Sequence, residues 1–154
     1  MSLSKKILNK LIERNVSIST AESCTGGLLA YSFIKNKDSS KVFKSGYITY
    51  SNEMKIKELK VKKVSLNKIG AVSYQVAEEM IEGLYKKNKT ELCLSTTGIA
   101  GPGGSTKNKP VGLIFIGIRI NKKNIIIKKN FKGTRIQIQK KCVNFILKYL
   151  DKLI

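Results

Sequence analysis

The chain predicts an α/β fold, a three-layer α/β/α sandwich with a mixed, mostly parallel sheet. Three observations predict it. Short apolar, β-branched runs alternate with helical patterns along most of the sequence. Two late β-rich runs, Val111 to Ile120 and Ile125 to Phe131, are joined through Asn121-Lys-Lys-Asn124 and read as a hairpin. Two segments dense in Ser, Thr and Gly each follow an apolar run, where open α/β sheets present residues to a ligand.

The elements follow in order. Leu3, Ile7, Leu8, Leu11 and Ile12 keep helical spacing between lysines, which predicts an amphipathic helix to about Arg14. Val16-Ser-Ile-Ser-Thr20 alternates like a short strand. Thr25 can cap a helix running to about Lys35, with Leu28, Leu29, Tyr31 and Phe33 as its apolar surface. Asn36 to Ser40 is a loop, Phe43 to Tyr50 a strand, and Asn52 to Leu59 a short helix. A further loop reaches Ala71, and Ser73 opens a helix carrying Val76, Met80, Ile81 and Leu84 on one face. Leu92-Cys-Leu-Ser-Thr96 is compact and apolar enough for a central strand, and Gly98 to Lys109 is a loop. The last helix starts near Thr134 and turns Ile138, Cys142, Phe145, Ile146 and Tyr149 inward. No repeat, low-complexity tract or interdomain linker interrupts the 154 residues, which suit one domain burying about 70% of its unfolded surface.

Composition narrows the chemistry. There is no histidine, which excludes Ser-His-Asp and Cys-His catalysis and histidine-ligated zinc. Cys24, Cys93 and Cys142 are odd in number and match no metal spacing, so a reducing cytoplasm is the expected location. The N-terminus has no signal-peptide core, and no apolar run approaches the roughly 20 residues that span a bilayer. A net charge of +20 invites a polyanion partner. Only three of the 30 basic residues are Arg, however, and the lysines are spread from Lys5 to Lys152. That pattern reads as a solvated surface, with no specific nucleic-acid partner.

Without histidine, a desolvated lysine is the natural base for a serine. Ser23 sits at a strand-to-helix turn in Thr20-Ala-Glu-Ser-Cys-Thr-Gly-Gly27, and is either a nucleophile or a turn residue. If a helix begins at Thr25, its first amides face this turn and can hold an oxyanion. Cys24 is a rival nucleophile whose side chain points away from that of Ser23 in an extended segment. Lys55 follows a strand in Tyr50-Ser-Asn-Glu-Met-Lys55 and by composition would be a surface residue. To work as a base it needs burial or nearby positive charge to pull its pKa down from about 10.4. Gly98-Ile-Ala-Gly-Pro-Gly-Gly104 fits neither a Walker loop nor G-x-G-x-x-G. It is either a flexible crossover or a loop whose amides bind an anionic or carbonyl oxygen.

These strings, with Gly46-Tyr-Ile-Thr-Tyr50, Gly70-Ala-Val-Ser73, Thr97-Gly-Ile-Ala-Gly-Pro102 and Lys109-Pro-Val-Gly112, occur in order along essentially the whole chain. Together they resemble the CinA C-terminal domain family, the bacterial nicotinamide-nucleotide amidases. The resemblance implies a three-layer fold and hydrolysis of nicotinamide mononucleotide to nicotinate mononucleotide and ammonia, in pyridine-nucleotide salvage, with no metal or organic cofactor. It implies Ser23 as nucleophile and Lys55 as base, and Tyr50 and Thr97 as active-site positions that relay protons or hold substrate. Ser40 matches a further hydroxyl. Backbone amides from Cys24 through Thr25 to Gly26 are the expected oxyanion donors. Gly98, Ala100, Gly101 and Arg135 are expected at the ribose phosphate, by charge as well as by resemblance.

Many family members carry an additional N-terminal domain resembling molybdopterin-binding proteins; this chain resembles the stand-alone form, and homo-oligomerisation is compatible with it. Two departures stand out. Thr134 replaces a common Asp, and Gln139 replaces a second Arg, a loss worth about 1.5–3 kcal/mol if that Arg made a charged hydrogen bond to phosphate. Two alternatives remain: a non-catalytic binding protein tied to competence or DNA damage, or an amidase for another nucleotide-like amide.

Overall fold

The computed structural model describes residues 1–154. Its elements are α1 (Leu3–Glu13), β1 (Ile18–Glu22), α2 (Leu28–Ile34), a 3-10 turn (Ser39–Lys41), β2 (Phe43–Ile48), α3 (Asn52–Leu59), α4 (Lys63–Lys68), α5 (Tyr74–Asn88), β3 (Leu92–Gly98), β4 (Leu113–Ile120), β5 (Lys123–Asn130) and α6 (Arg135–Leu153). The five strands form one mixed sheet in the order β2-β1-β3-β4-β5. β1 pairs in parallel with β2 and β3, whereas β3–β4 and β4–β5 are antiparallel. Four strands therefore run one way and β4 alone opposes them.

Alternation along the strands builds two cores. Ile18, Leu92, Leu94, Ile114, Ile116 and Ile118 meet α1, α2 and α6 on one face, through Ile7, Leu8, Leu11, Leu29, Phe33, Ile138 and Ile146. Ala21 and Cys93 meet α3, α4 and α5 on the other, through Leu59, Leu66, Val76, Met80, Ile81 and Leu84. This is the expected three-layer arrangement. Complete burial of a leucine or isoleucine side chain contributes roughly 1.5–3 kcal/mol, so the two cores hold the helices to the sheet. At Gly83 of α5 a side chain would meet the Leu59 carbonyl at 1.8 Å, so only glycine allows α5 to cross the end of α3 this closely. No helix is long and apolar enough to cross a membrane.

Four local expectations need correction. β1 begins and ends two residues later than alternation predicts, because all five of its residues are buried; a central strand covered on both faces loses the polar/apolar alternation. Helix α2 starts at Leu28, and Thr25 does not cap it. Gly26 and Gly27 both take positive φ, 58° and 99°, and hold the intervening turn out of the helix. The expected loop before Ala71 contains α4, six residues that are too short for a periodic signal. The hairpin turn is tighter than expected, with only Asn121 and Lys122 between the strands, both at positive φ.

This topology locates a crevice. From β1 the chain crosses through α2 to β2 on one side. It then returns through α3–α5, on the opposite face, to β3 on the other side. The ends of β1 and β3 thus sit where the winding reverses, which is where open α/β sheets bind ligands.

Candidate active site

Ser23 is the first residue after β1, and its amide donates to the Thr96 carbonyl of β3 at 3.0 Å. The turn is thereby tied to the neighbouring strand, and the Ser23 side chain stands at the mouth of the crevice, 8% exposed. Lys55 lies in the first turn of α3, which Ser51 caps by accepting from the Met54 amide at 3.1 Å. The lysine is 1% exposed and has no carboxylate partner. Its Nζ is 2.9 Å from Ser23 Oγ, 2.8 Å from the Thr49 carbonyl and 3.4 Å from the Tyr50 carbonyl.

That geometry suits a neutral amine. Its two N–H groups donate to the two carbonyls, leaving the lone pair to accept the Ser23 hydroxyl proton. Burial lowers the Lys55 pKa from 10.5 to about 8. Desolvation, and not the surrounding cations, is the cause. Cys24 shows the reverse: burial pushes its thiol up to about 12, so it stays protonated and unreactive among core side chains.

A cavity of about 300 Å³ opens over the pair. Of the residues expected at the site it gathers Ser23, Tyr50, Lys55, Thr97, Gly98, Ala100, Gly101 and Arg135. Thr97 Oγ1 donates to the Ala71 carbonyl at 2.8 Å, tying two stretches of the cavity lining together. Tyr50 serves Lys55 through its carbonyl; its exposed phenol accepts from Arg135 Nη2 at 2.8 Å. Arg135 Nη1 donates to the Gly101 carbonyl at 2.7 Å, so the guanidinium ties the glycine loop to Tyr50 and keeps further N–H groups unused. The amides of Ala100, Gly101, Gly103 and Gly104 donate to no protein acceptor. At Gly98 a side chain would meet Ile114 at 2.5 Å and the Leu113 carbonyl at 2.6 Å, which fixes glycine where the loop leaves β3.

Other expected residues lie elsewhere. Ser40 sits exposed on the 3-10 turn, outside this cavity. Thr25 and Gly26 line a second cleft with Tyr31, Ile136, Gln139 and Lys140. Thr25 Oγ1 donates to Glu22 Oε1 at 2.6 Å and lies 2.7 Å from Thr96 Oγ1. Gly26 N–H donates to the Ser23 carbonyl at 3.1 Å, so it is not a free oxyanion donor. Neither are the first amides of α2, because Leu29 and Ala30 donate to the Glu22 carboxylate at 2.8 and 3.0 Å. The amides of Cys24 and Thr25, beside Ser23, donate to no other residue.

Three structural roles escape the sequence. Glu22, 1% exposed, caps α2 in the role expected of Thr25. Thr134 and Gln137 form a capping box that starts α6, so a hydroxyl is sufficient where Asp is common. Gln139 lies outside the main cavity, and its Nε2 donates to the Cys24 carbonyl at 2.9 Å. A cation lost at this position is not lost from the glycine-loop pocket. No group of three Cys, Asp or Glu side chains is gathered as a metal site.

The fold and cavity define a three-layer α/β domain with a buried serine–lysine pair at the switch point of its sheet. The family model for the CinA C-terminal domain matches residues 1–154, and the chain belongs to that family. A Clostridium botulinum protein named as competence-damage inducible is 50% identical over 151 residues, which is 98% of this chain and 37% of that protein. A CinA-like protein of Fusobacterium nucleatum is 49% identical over 142 residues, 92% of this chain and 34% of that one. The chain thus spans little more than a third of these curated relatives. Among solved structures, a CinA superfamily protein from Escherichia coli superposes with a TM-score of 0.95 at 31% identity, covering 99% of this chain and 88% of that one. A competence/damage inducible protein from Agrobacterium tumefaciens gives 0.94 at 33%, covering 98% and 93%.

Proposed function

We propose that the chain is a serine–lysine amidohydrolase that converts nicotinamide mononucleotide to nicotinate mononucleotide and ammonia. The observation that carries the reading is the Lys55 amine, 2.9 Å from Ser23 Oγ, with its pKa lowered by burial to about 8. A buried lysine with no acidic partner destabilises the fold in its charged form and is useful chiefly as a base.

Ser23 Oγ attacks the carboxamide carbon, and its proton passes to Lys55 Nζ. The carbonyl oxygen becomes an oxyanion facing the unpaired amides of Cys24 and Thr25. On collapse the C–N bond breaks, and the Lys55 ammonium returns its proton to the departing nitrogen, giving ammonia and an ester on Ser23. Water then attacks the ester, gives a proton to Lys55, and the proton returns to Ser23 Oγ as the acid leaves. Arg135 and the free amides of the glycine loop supply the cationic, donor-rich end that a ribose phosphate requires.

The test is ammonia release from nicotinamide mononucleotide by the wild type and Ser23→Ala, with EDTA present. Turnover by the wild type and its loss by at least about a thousandfold in the variant are expected. A folded variant that retains the rate removes Ser23 as nucleophile. A folded wild type inert on this and related nucleotide amides favours a binding role, for which the net charge of +20 would then be the lead.

A further inference from the structure

The turn after β1 is a thin wall between two hollows. Ser23 and Cys24 line the main cavity, whereas Thr25 and Gly26 line the second cleft with Gln139. The peptide joining Cys24 to Thr25 crosses that wall. It is trans, because the one cis bond in the chain is Gly101–Pro102. In a planar trans peptide the carbonyl and the following N–H point in opposite directions. Gln139 grips the Cys24 carbonyl at 2.9 Å from the cleft side. The Thr25 N–H is thereby turned the other way, toward the Ser23 side, and it donates to no protein acceptor.

Thr25 Oγ1 is fixed by Glu22 and Thr96, while Gln139 is the hydrogen-bond partner of the Cys24 carbonyl itself. The two glycines that follow both take positive φ and give little rigidity of their own, and Gly26 N–H is committed to the Ser23 carbonyl. Gln139 is held in turn by α6, whose start is fixed by the Thr134–Gln137 capping box and whose next turn is anchored by buried Ile138 and Cys142.

We propose that Gln139 is a positioning residue that aims the Thr25 N–H at the oxyanion formed on Ser23. The assignment rests on the serine–lysine reading and adds to it the origin of oxyanion orientation. Gln139 does not line the main cavity and makes no hydrogen bond to Lys55.

The experiment compares the wild type with Gln139→Met and Gln139→Glu, which keep side-chain length without the donor, and with Gln139→Arg, which restores one. Nicotinamide mononucleotide turnover gives kcat and KM across pH, and labelling of Ser23 by a fluorophosphonate is followed by mass spectrometry. In labelling, the Ser23 O–P bond forms, fluoride leaves, and the serine proton passes to Lys55; the phosphoryl oxygen uses the same donors. Loss of a whole oxyanion donor lowers kcat by about 100–1000-fold, so a misaimed donor is expected to lower kcat and labelling by roughly 10–100-fold. KM is expected to stay within about twofold, since ground-state binding uses other groups. The pH midpoint set by Lys55 should not move, and Gln139→Arg should recover most of the rate.

A purely structural role would instead lower the melting temperature with no kcat-specific loss. Unchanged kcat in both the Met and Glu variants overturns the proposal. So does a fall accompanied by a shifted pH midpoint, because that locates the damage at Lys55. If the wild type leaves nicotinamide mononucleotide intact yet its Ser23 labels faster than in Gln139→Met, the substrate assignment fails and the positioning role stands. If wild-type Ser23 neither turns over nor labels, both fall together.

Discussion

Replacing Lys55 by Met tests the central feature of the site through stability, independently of any substrate. The folded protein holds the lysine with a pKa of about 8, against 10.5 in the unfolded chain. At about 1.36 kcal/mol per pKa unit this amounts to roughly 3 kcal/mol against the charged form. The sign follows from proton binding. Between pH 8 and 10.5 the unfolded chain holds the Lys55 proton and the folded chain does not, so wild-type stability rises with pH across that window. Below about pH 8 both states are protonated and the full penalty is present. Met fills similar volume and does not titrate. The loss of the contacts to Thr49, Tyr50 and Ser23 adds an offset that does not vary with pH through Lys55. The stability of the wild type minus that of Lys55→Met should therefore increase by roughly 2–3 kcal/mol from pH 7 to pH 10. Urea unfolding of both proteins at several pH values measures it, and the other lysines cancel in the difference. In parallel, wild-type kcat/KM should climb about tenfold per pH unit below 8 and level above it. A stability difference that stays flat from pH 7 to pH 10 would refute the buried, depressed lysine.

Two further substitutions probe the surroundings. Arg135→Ala removes the guanidinium that links Gly101 to Tyr50. It should raise KM for nicotinamide mononucleotide by about 10–100-fold, the worth of a charged hydrogen bond, with a smaller change in kcat; an unaltered KM would remove Arg135 from the phosphate end. Glu22→Gln keeps size but cannot accept from Thr25, Leu29 and Ala30 together. Urea unfolding should show a loss of about 1–3 kcal/mol, and a change below about 0.5 kcal/mol would show that the carboxylate is not the cap.

The sequence discloses what local chemistry determines. Hydroxyls and glycines crowded behind strand-like runs mark Ser23 and the Gly98–Gly104 loop without any tertiary information, whereas Thr97 is marked by resemblance. Lys55 is different, because one lysine among many carries no local sign of burial; resemblance marks it, and its 1% exposure is a tertiary effect, with Nζ lodged against Ser23, Thr49 and Tyr50 just past the ends of β1 and β2. Glu22 was illegible for a related reason. An acid at a strand end reads as solvated, and its partners are helix amides seven and eight residues onward, reached only after two glycines turn the chain. Gln139 lies 115 residues from the carbonyl it holds, a contact that no periodicity could announce.

The absence of histidine explains why these parts depend on one another. A base with an ordinary pKa of 10.5 becomes useful near neutrality only where water is excluded, so the amine must sit deep in the fold, not at a loop tip. Depth alone would leave its N–H groups unsatisfied. The carbonyls of Thr49 and Tyr50, at the end of β2 and the start of α3, take both and thereby orient the lone pair toward Ser23. Those carbonyls are available because the chain has left β2 there and α3 has not yet begun, so neither ladder nor helix takes them. A serine–lysine pair is thus built at strand ends for the same reason that ligands bind there. The roughly 3 kcal/mol of strain on the charged lysine is carried by the two cores on either side of the sheet. Substitutions that loosen the packing of α3 against α5 should therefore raise the Lys55 pKa and lose activity at neutral pH before they lose the fold.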